Sequence, residues 1–401
     1  MFARVFAAFR YPDFRLLWIG ACMSSIGTWM QTVAQNWLVL ELTNSPLLLG
    51  LDSFLGQIPI FLFSLIGGAL ADRMDRRRLL VGSQIVQMSC AFLLAALFAA
   101  GVVQVWHILA LSFVVGLAQA FGGPAYQALV PSLVPPHQLS NAIALNSIQF
   151  NLARVIGPML GGLALTSLGA AWCFGLNGLS YIAPVVALLL LTTRPAAMKH
   201  SGTLFASLKE GLRFIARREA MPQLIVIAFC MTMLGIPLLV FIPVVVRDVF
   251  NMGAETFTWL LVTSGVGAVL GALSVAALGP IEGKGRLALL ALLILGVVTT
   301  GFGLSNSLPL TFVLLFLGGA VLVACFAMIS SLVQAVVHDE MRGRVMSVYN
   351  VAFRGGMPIG ALISGHLMTV YNVQTVLAAN GLMLSLIALW FLLVQRRVAN
   401  L

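Results

Sequence analysis

Residues 68–78 read Gly-Ala-Leu-Ala-Asp-Arg-Met-Asp-Arg-Arg-Arg and form a short basic stretch between two long apolar runs. The run before it covers residues 46–71, and the run after it covers residues 79–101. Each run is long enough to cross a bilayer, because a membrane-spanning helix needs about 20 mostly apolar residues. The pattern predicts two membrane helices joined by a tight, polar turn.

The same pattern continues along the whole chain of 401 residues, of which 60% are apolar and only 8% are charged. No soluble protein of this size can hide so much apolar surface from water. A transmembrane β-barrel is also excluded, because its strands alternate apolar and polar residues. We therefore predict an all-α membrane protein with twelve transmembrane helices, called spans 1 to 12. They cover residues 14–40, 46–71, 79–101, 105–129, 139–168, 171–191, 223–246, 256–278, 287–304, 308–337, 345–370 and 373–394.

The basic residues predict how the spans are oriented. Of the 22 Lys and Arg residues, 19 lie at the two termini or in the loops after spans 2, 6, 8 and 10. Cytoplasmic loops carry the excess of positive charge in membrane proteins, so we expect both termini to be cytoplasmic. A nucleic-acid-binding protein would instead gather basic residues on one face beside stacking aromatic side chains. We therefore expect no nucleic-acid partner.

The longest polar stretch predicts a division into two domains. Residues 194–221 form a linker between six spans in residues 1–193 and six spans in residues 222–401. Apolar residues recur at helical spacing among the basic residues of the linker: Leu204, Leu208, Leu212 and Ile215. This spacing predicts an amphipathic helix that lies on the cytoplasmic membrane surface.

An internal repeat relates the two predicted domains. Arg154 and Pro158 of span 5 recur 200 residues later as Arg354 and Pro358 of span 11. Parallel six-helix repeats, related along the membrane normal, are typical of secondary transporters with a central binding site. The repeat thus predicts a transporter built from two pseudo-equivalent six-helix bundles.

The stretch at residues 68–78 resembles the cytoplasmic signature of the major facilitator superfamily, which has a Gly, an apolar pair, an Asp-Arg pair and a basic run. Residues 14–18 read Phe-Arg-Leu-Leu-Trp and residues 27–31 read Gly-Thr-Trp-Met-Gln. This opening resembles the drug and siderophore exporter branch, which includes the enterobactin exporter and macrolide efflux proteins. The resemblance covers nearly the whole chain and implies the major facilitator fold and a proton-driven exporter.

The resemblance also implies a conformational gate in the loop after span 2. Its residues would be Gly68, Asp72, Arg73 and Arg76. Asp72 would close onto the start of span 11, near Gly343 and Arg344. The alternative is that the loop arginines only fix the topology and touch lipid headgroups.

Span 5 contains a motif that resembles the antiporter motif of the same superfamily. Its residues are Gly157, Pro158, Gly161 and Gly162. The resemblance implies a flexible contact between the two halves that accompanies exchange with protons. The alternative is close packing of small residues, which is common in membrane helices of every function.

Three ionisable residues lie deep within the spans: Asp52, Arg154 and Arg354. A charge at a helix centre costs roughly 2.5–3.5 kcal/mol unless it finds water or a partner. The two arginines favour an anionic or partly anionic substrate. Asp52 is the candidate proton carrier, and the alternative is a structural ion pair or a helix cap, because such pairs also perturb a pKa.

Uncharged polar residues recur on one face of several spans, which is the pattern of a cavity lining. With Arg154 and Arg354, the predicted substrate cavity contains Gln31, Gln35, Gln119, Tyr126, Gln334 and Asn350. Amide and aromatic groups beside apolar, adaptable Met side chains suit bulky amphipathic molecules. The alternative is hydrogen bonding between helices, which is worth only about 0.6 kcal/mol on average.

These observations predict a secondary active transporter that exports amphipathic small molecules, such as drugs or siderophores, by proton-coupled alternating access. The sequence has no nucleophile elbow, phosphate-binding loop or metal-ligand spacing, so we expect neither an enzyme nor a cofactor. The expected partners are the substrate, protons and the lipid bilayer, and we expect a monomer in the bacterial cytoplasmic (inner) membrane. Three alternatives remain open: a lipid or lysophospholipid flippase, an importer, and a non-transporting membrane sensor.

Overall fold

The computed structural model describes residues 6–192, 210, 212–218, 220–278 and 283–401. Within these ranges the chain forms helices and loops and no β-strand. We number the α-helices by the span to which they correspond and add a letter where a span is broken. They are α1 (Pro12–Thr43), α2 (Pro46–Arg73), α3 (Arg76–Ala99), α4 (Val105–Leu129), α5 (Leu139–Ser167), α6a (Ala170–Ser180), α6b (Ile182–Leu190), α7a (Met221–Gly235), α7b (Pro237–Val240), α7c (Ile242–Asp248), α8 (Ala254–Leu278), α9 (Lys284–Leu304), α10 (Leu308–Val336), α11 (Asp339–Val370) and α12 (Val373–Leu393).

Proline explains why two of the predicted spans are broken. Helix α7 is interrupted at Ile236 and Phe241, and Pro237 and Pro243 stand within the first two positions of the segments that follow. Proline is well suited to a helix start, but it removes a hydrogen bond from a helix interior. Pro184 is the third residue of α6b and so also lies in the first turn after a break, at Tyr181. The all-α prediction is thus confirmed, with three interruptions in two spans that the apolar pattern did not reveal.

The helices differ in whether they are long and apolar enough to cross a membrane. In the part of the chain that the structure describes, ten helices are long and apolar enough to cross a membrane. Helices α1 and α11 are not among them, and these two carry polar side chains such as Gln31, Gln35, Asn350 and Arg354. The chain is therefore a multi-pass membrane protein. The count of twelve spans and the cytoplasmic location of the termini stay predictions.

Contacts divide the chain into two compact units. The first unit comprises Met1–Thr43 and Leu55–Ser201, and the second comprises Asn44–Phe54 and Gly202–Leu401. Helix α2 is thus shared, because its first turns belong to the second unit. The predicted boundary at residue 193 and the first half of the predicted linker lie outside the described residues. Of the linker, residues 212–216 are helical.

The same helix pairs pack together in each unit. In the first unit, α1 packs on α5, and α3 packs on both α4 and α6a. In the second unit, α7a packs on α11, and α9 packs on both α10 and α12. Each unit therefore pairs its first helix with its fifth and its third helix with its fourth and sixth, which agrees with the internal repeat in the sequence.

Glycine allows the first and fifth helices of each unit to approach closely. A Cβ atom on Gly161 of α5 would lie 2.9 Å from Cα of Met30 on α1. In the second unit, a Cβ atom on Gly360 of α11 would overlap the backbone of Met233 on α7a. Small residues of this kind are common at close helix contacts in membranes.

Candidate transport site

A chain of four polar side chains links three helices of the first unit. Asn177 of α6a donates to Oε1 of Gln31 at 2.7 Å, and Gln31 donates to Oε1 of Gln35 at 3.2 Å. Gln35 donates in turn to the hydroxyl group of Ser112 on α4 at 2.9 Å. Gln31 and Gln35 are therefore engaged in hydrogen bonds within the first unit. Their role in lining a cavity stays a prediction.

A second polar chain connects α1, α3 and the break in α6. The hydroxyl oxygen of Tyr181 lies 3.1 Å from Oγ1 of Thr28 and 3.4 Å from Oε1 of Gln87, to which it donates. Gln87 donates to the hydroxyl group of Ser83 at 3.1 Å. Hydrogen bonds between membrane helices contribute about 0.6 kcal/mol on average and up to about 1.7 kcal/mol. Together the two chains stabilise one arrangement of the first unit.

Two further predicted cavity residues lie on α4. Gln119 is exposed, and Tyr126 follows it after seven residues, on the same side of the helix. Tyr126 is half-buried, and its hydroxyl group donates to Oδ1 of Asn146 on α5 at 3.2 Å. Gln119 is therefore exposed, whereas Tyr126 is held by a neighbouring helix, and the role of both in lining a cavity stays a prediction.

Arg154 of α5 is half-buried and packs against an aromatic pair. Its guanidinium carbon lies 5.9 Å from the ring centroid of Trp29, within the range of a cation–π contact. The ring of Phe150 meets Trp29 edge-on, with 6.3 Å between the centroids. Among the described residues, no carboxylate forms an ion pair with Arg154.

In the second unit, the predicted cavity residues lie on α10 and α11. Gln334, Asn350 and Arg354 are all exposed. The side chain of Gln334 donates to the backbone oxygen and the hydroxyl group of Ser330, both at 3.3 Å. Within the ranges that the structure covers, Arg354 has no acidic partner either. The two repeated arginines thus share the lack of a paired carboxylate among the residues that the structure describes.

Asp52 lies in the part of α2 that belongs to the second unit. Its side chain is buried, with 5% of its surface exposed. Two residues earlier, Gly50 lies against the backbone of Ala361 on α11, and a Cβ atom on Gly365 would lie 2.8 Å from the oxygen of Pro46. The candidate proton carrier therefore lies about half a helical turn from a close contact between α2 and α11.

The loop that carries the predicted gate contains arginines that hold helix ends together. Arg76 is buried and donates to the backbone oxygens of Ala71 at 3.2 Å and Ala128 at 2.9 Å, near the ends of α2 and α4. Arg77 donates to the backbone oxygens of Leu189 and Leu191 at the end of α6b. A positive charge is favourable at such carbonyl groups because of the helix dipole. These two arginines therefore connect the ends of three helices.

The remaining gate residues and their neighbours make fewer contacts between helices. Asp75 caps α3 by accepting from the backbone nitrogen of Arg77 at 2.9 Å. Arg73 is exposed, and a Cβ atom on Gly68 would meet nothing within 4 Å. The side chain of Asp72 and the surroundings of Gly343 lie outside what the structure describes, as does the predicted contact between these positions. Arg344 forms an ion pair with Glu210 of the linker at 2.7 Å.

The antiporter-like residues pack inside the first unit. Gly157, Pro158, Gly161 and Gly162 are all buried. A Cβ atom on Gly157 would overlap Cβ of Trp29 and lie 2.8 Å from the backbone oxygen of Ile26. The motif therefore sets the distance between α5 and α1. Its role in exchange with protons stays a prediction.

Sequence reasoning missed the partners that these residues contact. Asn177, Trp29 and Phe150 carry no predicted role, although Asn177 is a conspicuous amide within the apolar span 6. Finding its partner requires the rotation of α6a relative to α1, which apolar patterning leaves open. The contact between Glu210 and Arg344 depends likewise on the path of the linker.

Comparison with known proteins gives three findings. The profile of a family described as transmembrane secretion effector matches residues 3–400. The multidrug efflux pump Tap of Mycolicibacterium fortuitum is 26% identical over 382 residues, covering 92% of this chain and 92% of Tap. The enterobactin exporter EntS of Shigella boydii serotype 4 (strain Sb227) is 26% identical over 388 residues, covering 96% of this chain and 92% of EntS.

A solved structure shares the fold along almost its whole length. It is a bacterial homolog of the human lysosomal transporter Spinster in an inward-facing, occupied conformation. The TM-score is 0.76 at 16% sequence identity, and the match covers 96% of this chain and 97% of that chain. At this identity the likeness shows the fold alone.

Proposed function

This chain belongs to the transmembrane secretion effector family, and we propose that it exports amphipathic small molecules, such as drugs or siderophores, in exchange for protons. The predicted resemblance to the major facilitator superfamily and its exporter branch is confirmed. The protein is a secondary transporter of this type and not an enzyme. We further propose that it lies in the bacterial cytoplasmic membrane, that it moves its substrate outwards by alternating access, and that this movement is coupled to protons.

The observation that carries the proposal is a polar stripe on a membrane helix. Ser147, Asn151 and Arg154 lie on one side of α5 and are exposed or half-buried, whereas Ile148 and Leu152 form a separate exposed apolar side. The apolar side suits lipid, and the polar side needs water or a polar ligand because an arginine in hydrocarbon is costly. A helix with these two exposed sides suits the wall of a transport pathway.

The names of the relatives support the substrate class. Tap is a multidrug efflux pump, and EntS is an enterobactin exporter. Both match this chain over more than nine-tenths of its length. We infer a substrate that combines an apolar body with polar or anionic groups, because arginine and amide side chains stand beside apolar surface in both units.

Asp52 is the residue that we propose to carry the proton. It is buried, and it lies beside the close contact of α2 with α11 at Gly50. Protonation of a buried carboxylate removes a charge and so changes the free energy of its surroundings. We propose that this change biases the two six-helix bundles, residues 1–193 and 222–401, between alternative conformations, with the loop of Asp72 as the gate.

A cellular assay tests export and its energy source. The protein is produced in a bacterial host that lacks its major efflux pumps, and accumulation of ethidium, erythromycin and enterobactin is measured. We expect lower accumulation of at least one compound, and we expect a protonophore to abolish the difference. Lowered accumulation that persists with the protonophore would contradict proton coupling, and unchanged accumulation of all three would contradict export of this substrate class.

A further inference from the structure

Arg154 presents hydrogen-bond donors that no other residue described by the structure uses. Its guanidinium group lies over the ring of Trp29, and among the described residues it neither pairs with an acid nor donates a hydrogen bond. A guanidinium group has its N–H groups in its own plane, where a planar anion can accept two of them. Arg154 is therefore available to bind a carboxylate or a similar anion.

An aromatic surface lies beside these donors. Phe150 precedes Arg154 by one helical turn, and 53% of its side-chain surface is exposed. Its ring meets Trp29 edge-on at 6.3 Å, so Trp29 touches both Phe150 and Arg154. Aromatic rings favour edge-to-face or offset contacts with further rings. An exposed ring one turn from an unpaired cation suits a ligand that has an aromatic ring and an anionic group a few ångströms apart.

Close helix packing holds this cluster in place. Gly157 lies one turn after Arg154, and its missing side chain lets Cβ of Trp29 approach the α5 backbone. Trp29 therefore has little freedom to move relative to α5. A binding site on rigid helices keeps the geometry that recognition requires.

We propose that Arg154, Trp29 and Phe150 form an anion-and-ring subsite that selects aromatic anions over neutral or cationic compounds of the same shape. The subsite rests on the proposed function, because it names the class of substrate that the exporter takes. Arg154 binds the anionic group through its free N–H groups. Phe150 packs against the aromatic ring of the ligand, and Trp29 positions Arg154 through the cation–π contact.

A charge series on one ring tests the subsite in the full-length protein in lipid nanodiscs. The probes are 2-naphthoate, 2-naphthylmethanol and 2-naphthylmethylammonium, and octanoate serves as an anion without a ring. Isothermal titration calorimetry measures each dissociation constant. We expect the wild-type protein to prefer 2-naphthoate over 2-naphthylmethanol by about tenfold or more, as for one hydrogen bond to a charged group.

Substitutions at Arg154 and Phe150 test which residue causes this preference. Arg154→Gln should remove the preference for the anion, and Arg154→Lys should retain part of it, because Lys keeps the charge but loses the planar fork. Phe150→Leu should reduce the preference for 2-naphthoate over octanoate. Arg396→Gln is the matched control, since it removes one charge from an exposed residue near the end of the chain and should change neither ratio.

The outcomes separate the subsite from the transport mechanism. A wild-type protein without charge preference, or an Arg154→Gln variant that keeps it, would overturn the subsite. An anion preference that depends on Arg154, in a protein that moves no protons, would support the subsite and contradict the proposed coupling. Thermal stability of Arg154→Gln in the nanodisc, matching that of Arg396→Gln, confirms that lost binding reflects lost recognition and not unfolding.

Discussion

The side-chain amide of Asn177 donates to Oε1 of Gln31 at 2.7 Å and so joins α6a to α1. Asn177 is almost completely buried, with 2% of its surface exposed, and Gln31 continues the chain to Gln35. A half-buried acceptor that loses its donor retains part of the cost of its desolvation. The contact therefore makes Asn177 more important for the stability of the first unit than for contact with a substrate.

Substitution of Asn177 should destabilise the protein more than substitution of an exposed amide. We expect Asn177→Leu to lower the free energy of unfolding by about 1–3 kcal/mol, because it leaves Oε1 of Gln31 without its donor. Gln119→Leu is the control, since Gln119 is exposed; it should leave stability nearly unchanged and alter the KM of transport. Thermal unfolding in detergent and transport kinetics measure the two effects. Equal loss of stability in both variants would contradict this distinction.

Two arginines in the loop at residues 68–78 should contribute very differently to the stability of the protein. Arg76→Ala removes a buried group that donates to two helix ends and should cost about 1.5–3 kcal/mol or more, the value of one hydrogen bond to a charged group. Arg78 is the matched control in the same loop, because its side chain is 87% exposed and lies 3.7 Å from Asp75. An exposed pair of this kind contributes at most about 1 kcal/mol. Thermal midpoints that fall equally in both variants would show that Arg76 acts only through its charge.

Replacement of glycine by alanine should have opposite effects at two positions. At Gly161 the new Cβ atom would lie 2.9 Å from Cα of Met30, so we expect a loss of about 1–3 kcal/mol from overpacking between α5 and α1. At Gly82 of α3 the new atom would meet nothing within 4 Å, and the higher helix propensity of alanine should add up to about 1 kcal/mol. Thermal unfolding of both variants measures this contrast. A stabilised Gly161→Ala would contradict the close contact of α5 with α1.

The sequence alone predicted the helices well, because bilayer thickness and proline dictate where an apolar helix can begin and end. Span 4, for example, has the same bounds as α4, Val105–Leu129. The breaks in α6 and α7 escaped prediction, because proline is also tolerated inside membrane helices, as at Pro158 of α5. Sequence pattern shows that a proline is present, and only packing decides whether the helix is interrupted there.

The sequence predicted which residues belong to the candidate site, but it did not predict which partners they contact. Repetition identified Arg154, and the membrane cost of a charge made it a functional candidate. Its cation–π contact with Trp29 depends on the relative position of α1 and α5, which pack closely at Gly157. For Gln31 and Gln35 the sequence also could not predict the contacts, because a stripe of amides on α1 fits a cavity and an interhelical hydrogen-bond chain equally well.

The most direct test of proton-coupled export uses purified protein in liposomes that contain a pH-sensitive dye. A compound that the cellular assay identifies is added on one side, and proton movement and substrate uptake are recorded together for the wild-type protein and Asp52→Asn. We predict substrate-driven proton movement in the wild type and substrate exchange without proton movement in Asp52→Asn. Undiminished proton movement in Asp52→Asn would contradict the role of Asp52, and wild-type transport of substrate without any proton movement would contradict the coupling itself.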